Sequence, residues 1–257
     1  MHPVLSLYDE QMRRDVPPDG PGVRVERTAA VVRQTGAADD WNGVLWSRLT
    51  ADTADAEIAA QIAHYGGLGL GFEWKHYSHD EPADLAGRLL AAGFTAEEPE
   101  ALMVASTAGL SADAPAPSGV ELRPVTDAAG VELVVAVHEE AFGAPGDRLR
   151  HQLLAQLAHS PDTVAAVVAV ADGRPVSSAR LELVPGRDFA GLWGGGTVPA
   201  WRGRGVYRAL VAYRARIATA RGYGYLQVDA SDMSRPILER LGFERLAVTT
   251  PYVYAAR

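Results

Sequence analysis

"TVPAWRGRGVYRALVAYR", Thr197 to Arg214, is the stretch on which the reading of this chain turns. Three glycines, Gly194 to Gly196, stand before it. After Gly205 the residues take an apolar helical rhythm, with Val206, Leu210, Tyr213, Ile217 and Ala220 on one face. A strand, "FAGLWGGGTV", leads in, Pro199 and Ala200 turn the chain, and Arg202-Gly203-Arg204-Gly205 opens the helix. Glycine loses the most backbone entropy on folding, so a cluster at a helix mouth implies close approach of something to the backbone. The first N–H groups of a helix lack intrahelical partners and carry partial positive charge. Gly203 and Gly205 expose those groups, and Arg202 and Arg204 add charge-assisted donors. The combination reads as an anion site suited to a pyrophosphate, the plainer alternative being a glycine-rich turn with solvated arginines. It is not a Walker loop, because no Gly-Lys-Ser/Thr follows, and it lacks the third glycine of a dinucleotide fingerprint.

Working outward, the second half reads as an alternation of strands and helices. "VELRPVTD" is a strand ending at Asp127, which can cap a helix to Phe142, and a second helix covers about 147 to 159. "TVAAVVAVADGRPVSSARLEL" is a hairpin turning at Asp172-Gly173. Beyond the quoted helix come a strand "YLQVDA", a short helix from Ser234 to Leu241, and a closing strand "LAVTTPYVYA". The first half echoes this ending. "GFEWKHYS", "PADLAGRLLAAGF" and "ALMVAS" repeat strand, helix with a Gly-Phe stop, and strand, with Pro82 and Pro236 both suited to a first helical turn. "STAGLSADAPAPSG", Ser106 to Gly119, is small, polar and proline-containing, and reads as a linker. The expected division is 1–110 and 118–257.

Composition sets the outer bounds. The chain has 257 residues, 47% hydrophobic and 22% charged, enough for one large or two small domains. A formal net charge of −8 argues against nucleic acid as a partner. Cysteine is absent, which removes disulfides, thiolate metal sites and cysteine nucleophiles. The start, "MHPVLSLYDEQMRRDV", lacks a signal-peptide pattern, and no run approaches about 18 apolar residues, so a cytoplasmic protein without a membrane span is expected. Lys75 is the sole lysine among 24 basic residues, an imprint of a GC-rich, bacterial genome. His76, His79 and Asp80 match no familiar ligand spacing, and no metal is expected.

The glycine-arginine loop, with Arg202 and Gly205 at the signature spacing, Pro199 upstream and "ERLGF" (Glu239 to Phe243) downstream, resembles the GNAT superfamily of acyl-CoA N-acyltransferases. The resemblance covers about Val120 to Arg257, and more weakly Gly71 to Ser106 as a degenerate copy. It implies a mixed α/β fold in the second half and a degenerate version of it in the first; the element order and the Asp172-Gly173 hairpin give the second half a mostly antiparallel sheet. It also implies acetyl-CoA as donor and an amine of a small molecule or protein as acceptor. A homodimer is one option for assembly. The pyrophosphate would lie on the amides of Arg202, Gly203, Arg204, Gly205, Val206 and Tyr207. The pantetheine would run beside Gly196, Thr197 and Val198, with Ser231 at a position often taken by asparagine.

Three departures bear on catalysis. Tyr207 replaces the last small residue of the signature, Leu238 stands where many members carry a proton-donating tyrosine, and "LWGGGT" contains no carboxylate. Glu182, in the strand before, is then the local base candidate, with a solvated strand residue as its plainer role. Ser234, one turn before Leu238, is a proton donor or simply a helix cap. Tyr252 and Tyr254 are further acid candidates or strand packing. The bare backbone at Gly195 leaves room for a channel to the thioester, with Trp74 and His76 as lining candidates on its far wall; the opposing account is that the glycines only make a strand bulge that opens the sheet for pantetheine. Two functions fit: an N-acetyltransferase, and an acyl-CoA-binding protein with little catalysis, such as a sensor or partner subunit.

Overall fold

Tyr65 organises the first of two compact units in the computed structural model, which describes residues 2–20, 22–110 and 114–256. Its ring stacks on Phe72 at 4.2 Å, and its hydroxyl donates to the carbonyls of Gln34 and Gly43 at 2.7 and 3.1 Å. A buried tyrosine is stable when its polar tip finds acceptors, and here that tip bridges two neighbouring strands. The elements of this unit are α1 (Pro3–Tyr8), a π-helical turn (Asp9–Arg14), β1 (Arg24–Arg27), β2 (Val31–Thr35), β3 (Gly43–Ser47), α2 (Ala54–Gly67), β4 (Phe72–Tyr77), α3 (Leu85–Ala91) and β5 (Thr95–Ala96). Strand β6 (Glu100–Ser106) starts in it, and Leu102 is the last residue grouped there before the chain passes on. Pro82 lies before α3 rather than in its first turn; its carbonyl accepts from the Leu85 N–H at 2.8 Å.

The second unit runs through β7 (Val120–Val125), α4 (Ala128–Phe142), α5 (Asp147–His159), β8 (Val164–Ala171), β9 (Arg174–Leu183), β10 (Phe189–Thr197), α6 (Val206–Ala220), β11 (Tyr225–Ala230) and α7 (Arg235–Arg240). Asp127 caps α4 by accepting the Gly130 N–H at 2.8 Å, and Gly143 ends it in the left-handed region. The β8–β9 hairpin turns at Asp172 and Gly173, both with positive φ, as an Asp-Gly pair allows. Strands β7, β8, β9 and β10 are antiparallel in that order, and β11 joins β10 in parallel. This is a mixed α/β unit with a mixed sheet.

The linear halves expected from the sequence differ from the compact units. The last strand, β12 (Glu244–Tyr254), belongs to the first unit from Arg245 onward, as do Asp229–Asp232. Within that unit β12 pairs antiparallel with β4 over six residues, from Thr249–Tyr77 to Tyr254–Phe72, and β5 pairs with it too. Residues 111–113, inside the expected linker, lie outside the described residues. Its opening is tied down: Thr107 donates from its N–H to Gly224 O at 2.9 Å and from its hydroxyl to Tyr223 O at 2.8 Å.

A buried ionic network completes the first unit. The Arg13 guanidinium donates to both Asp80 oxygens at 2.8 Å and to Asp9 at 2.8 Å, and it lies 4.0 Å over the Tyr77 ring. His79 and Asp9 are joined at 2.7 Å, which helps hold the Asp9 carboxyl below its ordinary value despite burial. Lys75 meets Asp229 at 2.5 Å, and Tyr8 shares a hydrogen bond with Tyr77. Buried charges persist when paired in this manner.

Because Tyr252 lies in the same core as Trp74, Phe72 and Tyr65, β12 carries part of the stability of the first unit. Removing residues 245–257 should therefore strip protection from the β4 amides, read by hydrogen exchange as at least a tenfold faster rate. Unchanged β4 protection in the truncated chain would contradict this.

Candidate functional site

Strand β10 is bent by a bulge. Trp193 pairs with Arg180 but Gly196 pairs with Ser178, so β10 carries one extra residue across that interval. Gly194 takes a φ of +57°, open to glycine at no steric cost. On its other side β10 pairs with β11 for three residues, Phe189 to Gly191 against Tyr225 to Gln227. No further pairing between the two follows among the described residues of this unit. The strands part after Gly191, which leaves backbone groups of β10 available along one edge. Beyond the bulge, Ser177 fastens β9 to β10 by donating to Gly196 O at 2.6 Å and meeting the Thr197 hydroxyl at 2.8 Å.

The loop after β10 ends as a helix mouth. Gly203 and Gly205 both have positive φ, and nothing lies within 4 Å of the side-chain position of Gly203. Gly205 is the N-cap of α6 without any side-chain cap, and the Ala209 N–H is the first to bond back, to Gly205 O at 3.1 Å. The amides of Val206, Tyr207 and Arg208 thus precede the first helical hydrogen bond, as at any helix start. Arg202 turns back onto the protein, donating to Thr197 O at 3.1 Å and Ala141 O at 3.0 Å, so it splints the loop. Arg204 lies 4.7 Å over the Trp201 ring. Arg208, exposed in the first helical turn near Gly205, is a third cation that the sequence reading passed over. Its signal was present as an i+4 repeat of Arg204.

Two of the three glycines abut aromatic rings. A side chain on Gly195 would meet the Tyr207 ring at 2.9 Å, and one on Gly196 would meet the Phe142 ring at 2.7 Å. Tyr207 fills the space on the α6 face and Phe142 the space on the α4 face. Gly195, half-buried, accordingly abuts a ring where the sequence suggested open space. Behind Tyr207 lies Arg214, 1% exposed, donating to Leu210 O and Arg180 O at 3.1 Å. Burial pushes its guanidinium down to about 10, with Tyr207 opposing. The buried part of α6 is also broader than expected: Ala209, Ala212, Ala215 and Ala218 are buried, while Ala220 is exposed.

The other candidates fall as follows. Glu182 sits opposite Gly191 in the β9–β10 register, where β10 and β11 still pair, and is half-buried. Ser234 is the N-cap residue of α7, and the Leu238 N–H bonds to its carbonyl at 3.0 Å. Leu238 is 0% exposed, a core residue. Trp74, His76 and Ser231 belong to the first unit. Trp74 is 1% exposed in its core and has no surface to line a pocket, which corrects the expectation. His76 packs edge-on against Tyr252 at 5.7 Å, and burial lowers its basicity. His79 and Asp80 are committed to the Asp9–Arg13 network. Among the described residues no helix is long and apolar enough to cross a membrane.

A side chain placed at Gly195 must displace the Tyr207 ring. Gly195→Leu should therefore destabilise the protein by about 1–3 kcal/mol, as overpacking does, and Tyr207→Ala should relieve most of that cost in the double variant. Additive losses in urea unfolding would contradict the contact.

Comparison with known proteins agrees with this geometry. Residues 131–243 match the family model described as "Acetyltransferase (GNAT) family". No curated protein matches the chain. Among solved structures, a GCN5-related N-acetyltransferase from Kribbella flavida superposes with TM-score 0.70 at 19% identity, covering 90% of this chain and 88% of that one. One from Sphaerobacter thermophilus gives 0.62 at 16% identity, covering 89% and 77%. A tandem GNAT protein from the clavulanic acid biosynthesis pathway gives 0.60 at 16% identity, covering 95% and 86%. The fold is thus shared over most of the chain, and the chain carries, over residues 131–243, a domain of the GNAT acetyltransferase family.

Proposed function

We propose that the protein moves an acetyl group from acetyl-CoA to an amine. The observation that carries this reading is the mouth of α6, with positive-φ glycines and amides that precede the first helical hydrogen bond, placed after a strand that has parted from its neighbour. These features fit the donor. The amides of Val206 to Arg208 and the guanidinia of Arg204 and Arg208 can hold a pyrophosphate. Edge groups of β10 from Leu192 to Val198 can pair with an extended amide-bearing arm. When bound, the donor supplies an activated thioester carbonyl. The chain's own work is to orient the amine and take its proton, since an alkylammonium with a pKa near ~10.4 is not a nucleophile at neutral pH. Glu182 is our candidate for proton removal and Ser234 for proton delivery to the departing sulfur. We read the first half as a degenerate copy of the same architecture.

A second reading, an acyl-CoA-binding protein with little turnover, draws on Leu238, a buried aliphatic side chain at the place expected for a proton donor. The two readings separate on one assay: acetyl-CoA consumption over an amine panel, beside calorimetric binding of CoA.

Two outcomes are expected. Because Arg202 splints the loop, the electrostatic test uses Arg204→Glu with Arg208→Glu. Each lost charge-assisted contact costs about 1.5–3 kcal/mol, so CoA affinity should fall at least a hundredfold while circular dichroism stays unchanged. Retained affinity in the folded double variant would end the donor assignment. Glu182→Gln should slow transfer most at pH values where the amine is protonated, and approach wild type as pH nears ~10.4, where a base is no longer needed. A uniform loss across pH would remove Glu182 as the base.

A further inference from the structure

On the α4 and α5 side of the sheet, the second unit contains a pocket of about 360 Å³. Val134, Phe142 and Leu149 supply apolar wall, and His138, Arg148 and Arg180 supply the ionisable groups. No Asp or Glu is among the described residues lining it. Arg180 is the informative member. It lies on β9 with Ser178, the two facing the same way at period two, and both line the pocket. Its Nε is buried without a hydrogen-bond partner.

Nearby acids are engaged elsewhere. Glu139 accepts the Gly146 N–H at 3.2 Å, and Glu132 and Asp147 both bond to Arg150. Glu182, next along the same strand face, is not part of the lining. The bulge contributes directly. Gly194 also lines the pocket, and a side chain there would start 3.6 Å from the Arg180 Nε, so the glycine leaves room beside that guanidinium. A buried donor on a charged group, left unpaired, is costly unless a ligand completes it.

We infer that this pocket receives the acceptor, and that the acceptor carries a carboxylate held by Arg180, with Arg148 at the rim. The planar fork of a guanidinium matches a carboxylate edge-on, and the apolar wall suits a short hydrocarbon body. The substrate class is then a small apolar amino acid or a related amine bearing a carboxylate. This rests on the proposed acetyl transfer for its chemistry but not for its binding. A chain with a formal net charge of −8 thus presents a cationic pocket to its acceptor.

The test uses the full chain and three matched sets: leucine, methionine and phenylalanine, their carboxamides, and their aminophosphonate analogues. Calorimetry and acetyl transfer are both read. The amino acids should bind about 10- to 100-fold more tightly than the carboxamides, as charge-assisted bonds dictate. Arg180→Gln should bring that ratio close to one through loss on the carboxylate side, and Arg180→Lys should keep part of it. Circular dichroism verifies folding, and Arg148→Gln, at an exposed position, provides a second variant with a smaller loss in the same direction. Equal affinity for acid and amide, survival of the ratio in Arg180→Gln, tighter binding of the phosphonates, or no binding of any amino acid would each overturn the proposal. Carboxylate-selective binding without acetyl transfer would uphold it and sink the catalytic reading instead.

Discussion

Strand β10 must satisfy two neighbours that ask different things of it. Towards β9 it keeps pairing to its end, at the cost of an extra residue between Trp193 and Gly196. Towards β11 it pairs for three residues and then departs. The glycines let one strand do both. The bulge rotates the strand so that Gly195 faces the Tyr207 ring and Gly196 faces the Phe142 ring, which locks α6 and α4 against its two faces. The helix mouth, the open strand edge and the arginine-lined pocket all take their positions from this irregularity. Bulges recur next to functional sites because they re-aim side chains and end pairing.

The arginines around this strand differ in what they meet. Arg202 bonds to two carbonyls and fixes the loop, Arg204 lies on an indole, and Arg208 projects from the first turn. Arg214 is enclosed, with backbone carbonyls and a tyrosine for company, and its basicity falls accordingly. Arg180 points into a pocket without an acidic wall. Net charge carries none of this information. A formal −8 describes the long-range field, whereas recognition is set by which charges are desolvated and unpaired within a few ångströms.

What was legible in the sequence follows from where the physics is local. Asp127 as a cap, Asp172-Gly173 as a hairpin turn and Gly205 before an amphipathic run each state their own backbone conformation, so the second half could be laid out element by element. The first seventy residues hold short strands without clear alternation, and β1 to β3 and α2 left no comparable mark. Two readings failed because they depend on distant partners. Gly195 looked like open space, but the ring that fills it comes from Tyr207, twelve residues on. Trp74 looked like a lining residue, but its surroundings include Tyr252 at the far end of the chain. Arg180 sat unremarked in a hairpin, since its lack of a partner is visible only once the strands are assembled.

The placement of β12 has a consequence for the order of events in biogenesis. Synthesis runs from the amino terminus, and most domains can begin to close as soon as their last residue clears the ribosome. The first unit here contains Arg245–Arg257, so its sheet stays incomplete at the β4 edge until β12 has been made. During that interval β4 offers an unpaired strand edge, the kind of surface that invites association between nascent chains. The residues of β4 are thus made well before the strand that secures their edge.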